Sequence, residues 1–239
     1  MPTDHDLLPA AGRAGKDVAL VQAMFDRVAP RYDVANTVLS VGQDAHWRRV
    51  AALVAQPAGV RVLDVAAGPG NVARELLANG ARDVVALDLS FNMLAEGKRR
   101  GLPDVHWVNG DALHLPFSDA TFDAVTISFG LRNLPDPAMG LAEFARVARP
   151  GARMVVMEFA RPTWPPFRAV YAAYLQELLP LAARAVSSSA PAYGYLAESI
   201  AAWPNRAVVA GWMRDAGWRD VMVKDLSGGI VAIHRGFRG

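Results

Sequence analysis

Short apolar segments alternate with amphipathic stretches through the middle of the chain. The segments that predict strands are 60–66, 84–89, 105–110, 122–129 and 152–159. The stretches between most of them have helical spacing, with helices predicted to begin near Ser90 and Asp136. Because strands that alternate with helices form right-handed β-α-β units, this pattern predicts an α/β fold with a doubly wound parallel sheet.

The two ends of the chain follow other patterns. Apolar residues recur at helical spacing near the N-terminus, which predicts a helical cap over 16–57 behind a flexible tail at 1–15. Near the C-terminus, a predicted helix over 205–217 precedes the strand-like segments WRDVMVKDL and IVAIHR, which a Gly-Gly turn separates. So short a connection requires antiparallel strands. We therefore expect a mostly parallel sheet with an antiparallel C-terminal strand.

Residues 162–204 are unusually apolar. From Trp164 to Asn205, 42 residues include only four charged side chains and seven aromatic ones. Large apolar side chains recur there at three- and four-residue steps, as on the buried face of a helix. They are Trp164, Phe167, Tyr171, Tyr174, Leu175, Leu178 and Leu179. We expect a helical lid over the edge of the sheet, with about half of these side chains packed on the core, and a single domain over 1–239.

Composition excludes several classes of function. The 25 basic and 23 acidic residues leave a net charge of +2, and the basic residues are scattered, so no nucleic-acid partner is expected. The chain has no cysteine, and its five histidines lack ligand-like spacing, so no metal site is expected. The longest uncharged stretch, 185–197, is too short to span a bilayer, and the N-terminus resembles no targeting segment. These features predict a cytoplasmic protein.

Small and acidic residues follow the predicted strands, where ligands bind in open parallel sheets. The first strand leads into AAGPGN, in which Gly68 and Gly70 allow a tight turn beside the N-terminus of a helix. Asp88 ends the second strand, where it is placed to accept hydrogen bonds from both ribose hydroxyls of a nucleoside. Asp111 follows the third strand and could accept from an adenine amine, and Ser128 ends the fourth strand.

Two cofactor classes fit this arrangement. Gly68, Gly70 and Ala73 have the spacing of a dinucleotide fingerprint, with Asp88 20 residues after the first glycine, so an NAD-dependent oxidoreductase is one hypothesis. S-adenosylmethionine (SAM) is favoured, because Asp88 and Asp111 account for a single nucleoside. In addition, the antiparallel final hairpin is typical of SAM-dependent methyltransferases, and the chain has no Tyr-x-x-x-Lys proton relay.

Several segments carry a family resemblance over nearly the whole chain. FDRVAPRYDVAN, RVLDVAAGPGN, ALDLSFNML, TISFGLRN, MVVMEFARP and GGIVAIHRG resemble the menaquinone and ubiquinone biosynthesis C-methyltransferases. The resemblance implies a Rossmann-like class I fold and methyl transfer from SAM to a ring carbon of a prenylated quinol. Demethylmenaquinol is preferred over the ubiquinone precursor because the composition is typical of a GC-rich genome. The implied SAM-binding residues are Gly68, Pro69, Gly70, Asp88, Asp111, Ala112 and Ser128.

The glycine loop departs from the Gly-Thr-Gly-Asp that is usual in this family. Pro69 removes a hydroxyl and a backbone donor, and Asn71 replaces a carboxylate, which puts the contacts to the methionine end of SAM in doubt. A SAM-binding but inactive protein is therefore a third hypothesis.

The implied chemistry selects candidate catalytic residues. A hydroquinone carbon is nucleophilic only when a hydroxyl is at least partly ionised, so a cation or donor should hold the quinol oxygen. Arg132 and Asn133 are the candidates for this role, although Arg132 could instead cap a helix at the surface. Tyr32 and Asp33 could close over the substrate or form a helix-terminating turn.

The general base remains open. His114 and His234 are considered for this role, although each could be a packed or solvated residue, and water is an alternative proton acceptor. Glu158 could contact substrate or pair with Arg161. The lid fits an isoprenoid tail or a peripheral membrane contact, with Tyr193, Tyr195 and Ser199 as further lining residues. The oligomeric state is not predicted.

Overall fold

The structure is a computed structural model that describes residues 18–29, 33, 36–37, 40–178 and 190–239. The predicted tail at 1–15, Tyr32 and Leu179 lie outside the described residues, as do the side chains of Leu178 and Tyr193.

Seven strands and eight α-helices occur in the described chain. The strands are β1 (Arg61–Val65), β2 (Asp83–Asp88), β3 (Val105–Asn109), β4 (Phe122–Ser128), β5 (Ala148–Phe159), β6 (Trp218–Leu226) and β7 (Val231–Arg238). The helices are α1 (Val18–Val28), α2 (Gln43–Ala55), α3 (Asn71–Ala78), α4 (Phe91–Arg99), α5 (Pro137–Val147), α6 (Pro165–Ala173), α7 (Ala190–Ala202) and α8 (Arg206–Asp215). Single-turn helices cover Leu131–Asn133, Tyr174–Leu178 and Ser227–Gly229.

The strands form one sheet in the order β3-β2-β1-β4-β5-β7-β6. Strands β1 to β5 pair in parallel, whereas β7 runs antiparallel to both β5 and β6. The order reverses at β1, whose Leu63 pairs with Val85 on β2 and with Val125 on β4. This topology confirms the predicted doubly wound sheet with an antiparallel final strand.

Both faces of the sheet are buried, which explains the nearly continuous apolar runs of its central strands. On one face, Leu63 and Val125 pack in a cluster with Leu141 of α5 and Met213 of α8. On the other face, the cluster includes Trp47 of α2 and Leu76 of α3. The core therefore fixes the positions of the loops that follow the strands.

Side-chain caps begin the helices where the sequence predicted them. The N-cap residue Ser90 accepts a hydrogen bond from Met93 N, Asp136 accepts from Met139 N, and Asn205 accepts from the first turn of α8. The predicted start of β5 at 152 is wrong, because the strand begins at Ala148 and continues through an irregular register. No helix in the described ranges combines the length and apolar character that crossing a membrane requires.

Candidate active site

The carboxyl ends of β1 to β4 open into a cleft of about 780 Å³, including its open mouth. Five of the predicted cofactor residues line this cofactor cleft: Gly68, Asp88, Asp111, Ala112 and Ser128. Helix α1 covers the opposite side through Val18, Val21, Gln22 and Phe25. The cleft is thus formed jointly by the strand ends and the N-terminal helix.

Asp88 connects the glycine loop to the start of α4. Its Oδ2 accepts a hydrogen bond from Gly68 N at 2.8 Å, and its Oδ1 accepts one from Ser90 N at 2.8 Å. Burial raises the pKa of Asp88, and these hydrogen bonds oppose the rise. Gly70 has φ 82°, and a Cβ there would lie 2.5 Å from the Trp107 ring. Gly70 is therefore required by local packing.

Asp111 lies at the outer part of the cleft. Its Oδ1 accepts a hydrogen bond from Leu113 N at 2.9 Å, and its Oδ2 lies 3.2 Å from Nδ1 of His114. The His114 side chain is 72% exposed, and His114 is not one of the residues that line the cleft. His234 is buried in β7, with Nε2 3.1 Å from the carbonyl oxygen of Arg206, and burial lowers its pKa. The structure therefore places neither histidine inside the cleft as a base.

A smaller pocket of about 320 Å³ lies beside the glycine loop. Pro69 lines this pocket together with Asn71, Arg48, Asp64 and Ser128. Eight buried side-chain polar atoms of the described residues have no hydrogen-bond partner, and two of them, Ser128 Oγ and Asp64 Oδ2, belong to residues that line this pocket. Because buried polar atoms are normally satisfied, these two oxygens indicate a place for a polar ligand group.

Asp64 lies in the buried strand β1, and its side chain is almost completely inaccessible. Its Oδ1 accepts a hydrogen bond from Thr126 Oγ1 at 2.7 Å. Burial raises the pKa of Asp64 to about 7; the Thr126 hydrogen bond opposes the rise, whereas the negative charge of Asp88 adds to it. A cationic ligand group beside Asp64 would favour its ionised form.

Hydrogen bonds attach the N-terminal cap to the rim of the cofactor cleft. Asp26 on α1 accepts from Ser90 Oγ at 2.5 Å. Asp33 accepts from Asn71 Nδ2 at 2.6 Å and pairs with Arg100 Nη2 at 2.7 Å, while Arg100 Nη1 donates to Asn71 Oδ1 at 2.9 Å. Asn71 thus donates to one partner and accepts from the other, which an ionised aspartate could not do. Asp33 reaches the glycine loop, and its partner in the prediction, Tyr32, lies outside the described residues.

Arg132 forms a buried ion pair. Its side chain is 6% exposed, and Nη1 lies 2.9 Å from Glu158 Oε1. Nη1 also donates to the carbonyl oxygen of Phe129 at 2.5 Å, and the guanidinium lies 5.1 Å from the centre of the Phe159 ring. The alternative of a surface arginine is therefore wrong, as is the pairing of Glu158 with Arg161. Arg132 therefore does not line the cofactor cleft, and its guanidinium contacts Glu158, Phe129 and Phe159 instead.

Asn133 lines the cofactor cleft directly. Its Oδ1 accepts a hydrogen bond from the Tyr195 hydroxyl at 3.1 Å, and its Nδ2 donates to the carbonyl oxygen of Phe129 at 3.2 Å. Burial raises the pKa of Tyr195, so its hydroxyl stays protonated and fixes the orientation of the amide. Ser199 Oγ accepts from Arg132 Nε at 3.4 Å. Tyr195 and Ser199 therefore contact the Leu131–Asn133 turn, whereas the sequence had placed them in a lid groove.

The lid encloses a second, mostly apolar cavity of about 1490 Å³, including its open mouth. Four of the predicted lid residues line this lid cavity: Phe167, Tyr171, Tyr174 and Leu175. Trp47 of α2 and Phe159 of β5 form part of its wall. Tyr171 and Leu175 also pack in a buried cluster with Ile200, whereas Trp164 is 66% exposed. The lid residues thus divide between packing, cavity lining and exposed surface.

Sequence reasoning missed three residues around the cofactor cleft. Asp64 had a usable signal, because it is the one acidic residue in a strand that is otherwise apolar after Arg61. Ala66 and Phe129 follow β1 and β4 and adopt left-handed backbone conformations, with φ of 51° and 57°. Neither residue type favours that conformation, so no sequence signal marks it.

The strand order, with its antiparallel final strand, and the strand-end cleft are those of the class I SAM-dependent methyltransferase fold. A SAM-dependent methyltransferase from Thermotoga maritima, described as a possible histamine N-methyltransferase, has a TM-score of 0.65 to this chain at 18% identity. That match covers 91% of this chain and 99% of the other. A SAM-dependent methyltransferase from Aquifex aeolicus has a TM-score of 0.59 at 20% identity and covers 81% and 89% of the two chains.

The model of the ubiE/COQ5 methyltransferase family matches residues 13–238, and the chain belongs to that family. A demethylmenaquinone methyltransferase from Renibacterium salmoninarum is 56% identical over 220 residues, which cover 91% of this chain and 92% of the relative. One from Beutenbergia cavernae is 54% identical over 92% of this chain and 91% of the relative. The resemblance found in the sequence is confirmed, and methyl transfer is supported over the nicotinamide alternative.

The residues present fit SAM, which is the cofactor of this family and fold. Asp88 and Asp111 offer carboxylate oxygens in the cofactor cleft, where the hydroxyls and the amine of an adenosine could donate hydrogen bonds. The unpartnered oxygens of Asp64 and Ser128 suit the charged amino-acid end. Pro69 and Asn71 line the same small pocket as these two oxygens.

Proposed function

We propose that this chain methylates a ring carbon of demethylmenaquinol in menaquinone biosynthesis. The observation that carries the proposal is the pairing of a cleft that holds two strand-end carboxylates, Asp88 and Asp111, with a separate and mostly apolar cavity of about 1490 Å³, including its open mouth. A nucleoside cofactor and a long apolar substrate require two such unlike spaces. The relatives named demethylmenaquinone methyltransferase, with identities of 56% and 54%, support the choice of substrate.

Bound SAM supplies an electrophilic methyl group on a sulfonium centre. Asp88 would hold the ribose hydroxyls and Asp111 the adenine amine, while Asp64 and Ser128 would hold the amino-acid end. Gly68 and Pro69 would shape the loop around it. Holding two reactants in one geometry can remove roughly 7 to 11 kcal/mol of the barrier in favourable cases, so positioning is the main task of these residues.

The acceptor oxygen requires a different set of contacts. Asn133 lines the cofactor cleft, and the Tyr195 hydroxyl and the Phe129 carbonyl fix its amide. We assign Asn133 to hold the quinol oxygen. Arg132 supplies positive charge behind it, but Glu158 largely neutralises that charge. Its main contribution would therefore be structural, through the Phe129 carbonyl and the Phe159 ring.

The lid cavity would receive the isoprenoid tail. Its mouth includes Val41 and Val170, which are 79% and 65% exposed, and Trp164 is exposed nearby in sequence at the start of α6. Tryptophan is favoured at membrane-water interfaces. We propose that this edge contacts the membrane and admits the tail from it. Trp164→Ala should reduce co-sedimentation with phospholipid vesicles and leave SAM binding unchanged; unreduced co-sedimentation would contradict the membrane contact.

Two measurements test the proposed function against its alternatives. Calorimetry with SAM, S-adenosylhomocysteine and NAD should show binding of the first two only. A methyl-transfer assay should then show product from demethylmenaquinol under reducing conditions. Binding of NAD alone would indicate an oxidoreductase, whereas SAM binding without turnover of any quinol would indicate an inactive protein.

A further inference from the structure

Phe129 has an unfavourable backbone conformation at the floor of the site. Its φ is 57°, which places a residue with a large side chain in the left-handed region. Phe129 lines both the cofactor cleft and the smaller pocket beside the glycine loop. Non-glycine residues persist in this conformation only where their surroundings impose it, and such residues cluster at functional sites.

The surroundings of Phe129 fix both of its backbone polar groups. Its N–H donates to the carbonyl oxygen of Met157 at 2.8 Å. Its carbonyl oxygen accepts from Arg132 Nη1 at 2.5 Å and from Asn133 Nδ2 at 3.2 Å. The Glu158 carboxylate in turn accepts hydrogen bonds from two nitrogens of Arg132, the side-chain Nη1 and the backbone N. The buried ion pair is thus part of the support that keeps Phe129 in its conformation.

The Phe129 ring belongs to a group of three aromatic residues. Its centre lies 4.7 Å from that of Phe159 and 6.0 Å from that of Trp47. Trp47 and Phe159 line the lid cavity, whereas Phe129 lines the cofactor cleft. Trp47 Nε1 donates a hydrogen bond at 2.8 Å to Oγ of Ser227, which also lines the lid cavity. These three residues, which we call the aromatic wall, separate the two cavities.

We infer that Phe129 positions the acceptor ring for methyl transfer, and that Arg132 and Glu158 are positioning residues that act through it. The inference rests on the proposed function, since a quinol with its tail in the lid cavity and its ring at the cofactor cleft would pass beside the aromatic wall. Aromatic rings attract one another in offset or tilted arrangements, so the wall offers a surface that selects a flat aromatic acceptor.

The comparison of Phe129→Leu with Phe129→Tyr isolates the ring. Both substitutions leave a non-glycine side chain in the left-handed conformation, so the backbone cost is similar, but only leucine removes the aromatic surface. Phe129→Leu should lower kcat with demethylmenaquinol by roughly ten- to a hundredfold, the range expected for a misplaced reactant. Phe129→Tyr should restore most of the activity. SAM affinity by calorimetry should fall by a smaller factor than kcat in both variants, because Asp88 and Asp111 are unchanged although Phe129 also lines the cofactor cleft.

Phe237→Leu on β7 serves as the matched control, because it makes the same substitution away from both cavities. Circular dichroism and urea midpoints verify folding; if Phe129→Leu does not fold, Phe129→Met is used with the same expectation. Full activity of the folded leucine or methionine variant, or equal loss in the tyrosine variant, would overturn the inference. No turnover of any quinol by the unaltered chain would overturn the proposed function and the inference with it.

Discussion

The buried pair of Arg132 and Glu158 offers the strongest single perturbation. Glu158→Leu removes the acceptor of three hydrogen bonds, from Arg132 Nη1 at 2.9 Å, Arg132 N at 3.2 Å and Phe159 N at 2.8 Å. It also leaves a guanidinium with 6% exposure without its carboxylate. Removing one partner of such a pair typically costs about 3–5 kcal/mol. In a chain of 239 residues, about 1 kcal/mol corresponds to roughly 2–4 °C, so the unfolding midpoint should fall by roughly 6–20 °C.

Thermal and urea unfolding followed by circular dichroism measure this loss. The double variant Arg132→Met with Glu158→Leu should recover part of the stability, because replacing both members of a buried pair by apolar residues is often nearly neutral. It should not recover turnover, since the Phe129 carbonyl has then lost its bond to Arg132. Arg99→Gln, in an exposed pair with Glu96, is the control and should leave the midpoint unchanged. A loss below about 1 kcal/mol for Glu158→Leu would refute the assigned role of the pair.

Three further substitutions test the cofactor cleft, the small pocket and the lid cavity. Asp88→Asn should weaken SAM binding by roughly ten- to a hundredfold in calorimetry, because an amide cannot accept hydrogen bonds from the ribose and from both backbone N–H groups. Asp83→Asn, at the far end of β2, is the control. Equal SAM affinities of the two variants would refute the role assigned to Asp88. Burial raises the pKa of Asp64 from 3.8 to about 7. Between these two pH values, Asp64 holds a proton in the folded chain that it has released in the unfolded chain. The free energy of unfolding therefore falls as the pH rises through this range. In urea titrations at pH 8, the free energy of unfolding of Asp64→Asn should therefore exceed that of the parent by up to about 4 kcal/mol, whereas near pH 4 the two should differ little. A difference that does not depend on pH would contradict the raised pKa. Val170→Asp should raise KM for a long-tailed quinol more than KM for a short-tailed one. Val208→Asp, at another exposed valine, should not change KM for either quinol. Equal effects of Val170→Asp on both quinols would show that the lid cavity does not bind the tail.

The mostly parallel sheet with its antiparallel final strand was predictable because local sequence patterns indicate it. Apolar strands buried on both faces, capping residues such as Ser90 and Asp136, and the short turn before β7 each have one physical reading. The start of β5 was not predictable in the same way. Pro150 and Gly151 are typical turn residues, yet the strand continues through them by means of an irregular pairing with β4.

The residues that line the cofactor cleft were predictable in part, because strand ends in a parallel sheet converge on one edge. Their position after a strand was enough to predict that Asp88, Asp111 and Ser128 lie together. The buried ion pair of Arg132 was not predictable, since no local pattern shows that Glu158 of the neighbouring strand β5 lies beside it. The left-handed conformation of Phe129 is likewise fixed by distant partners, including the carbonyl oxygen of Met157.

The most direct test of the central claim is a methyl-transfer assay with labelled SAM that offers demethylmenaquinol and the demethylated ubiquinol precursor side by side under reducing conditions. The proposed function predicts label in the ring of demethylmenaquinol, a lower rate with the ubiquinol precursor, and a marked loss of both rates in Asp88→Asn at limiting SAM. Label in the ubiquinol precursor alone, or in neither quinol despite measured SAM binding, would contradict it.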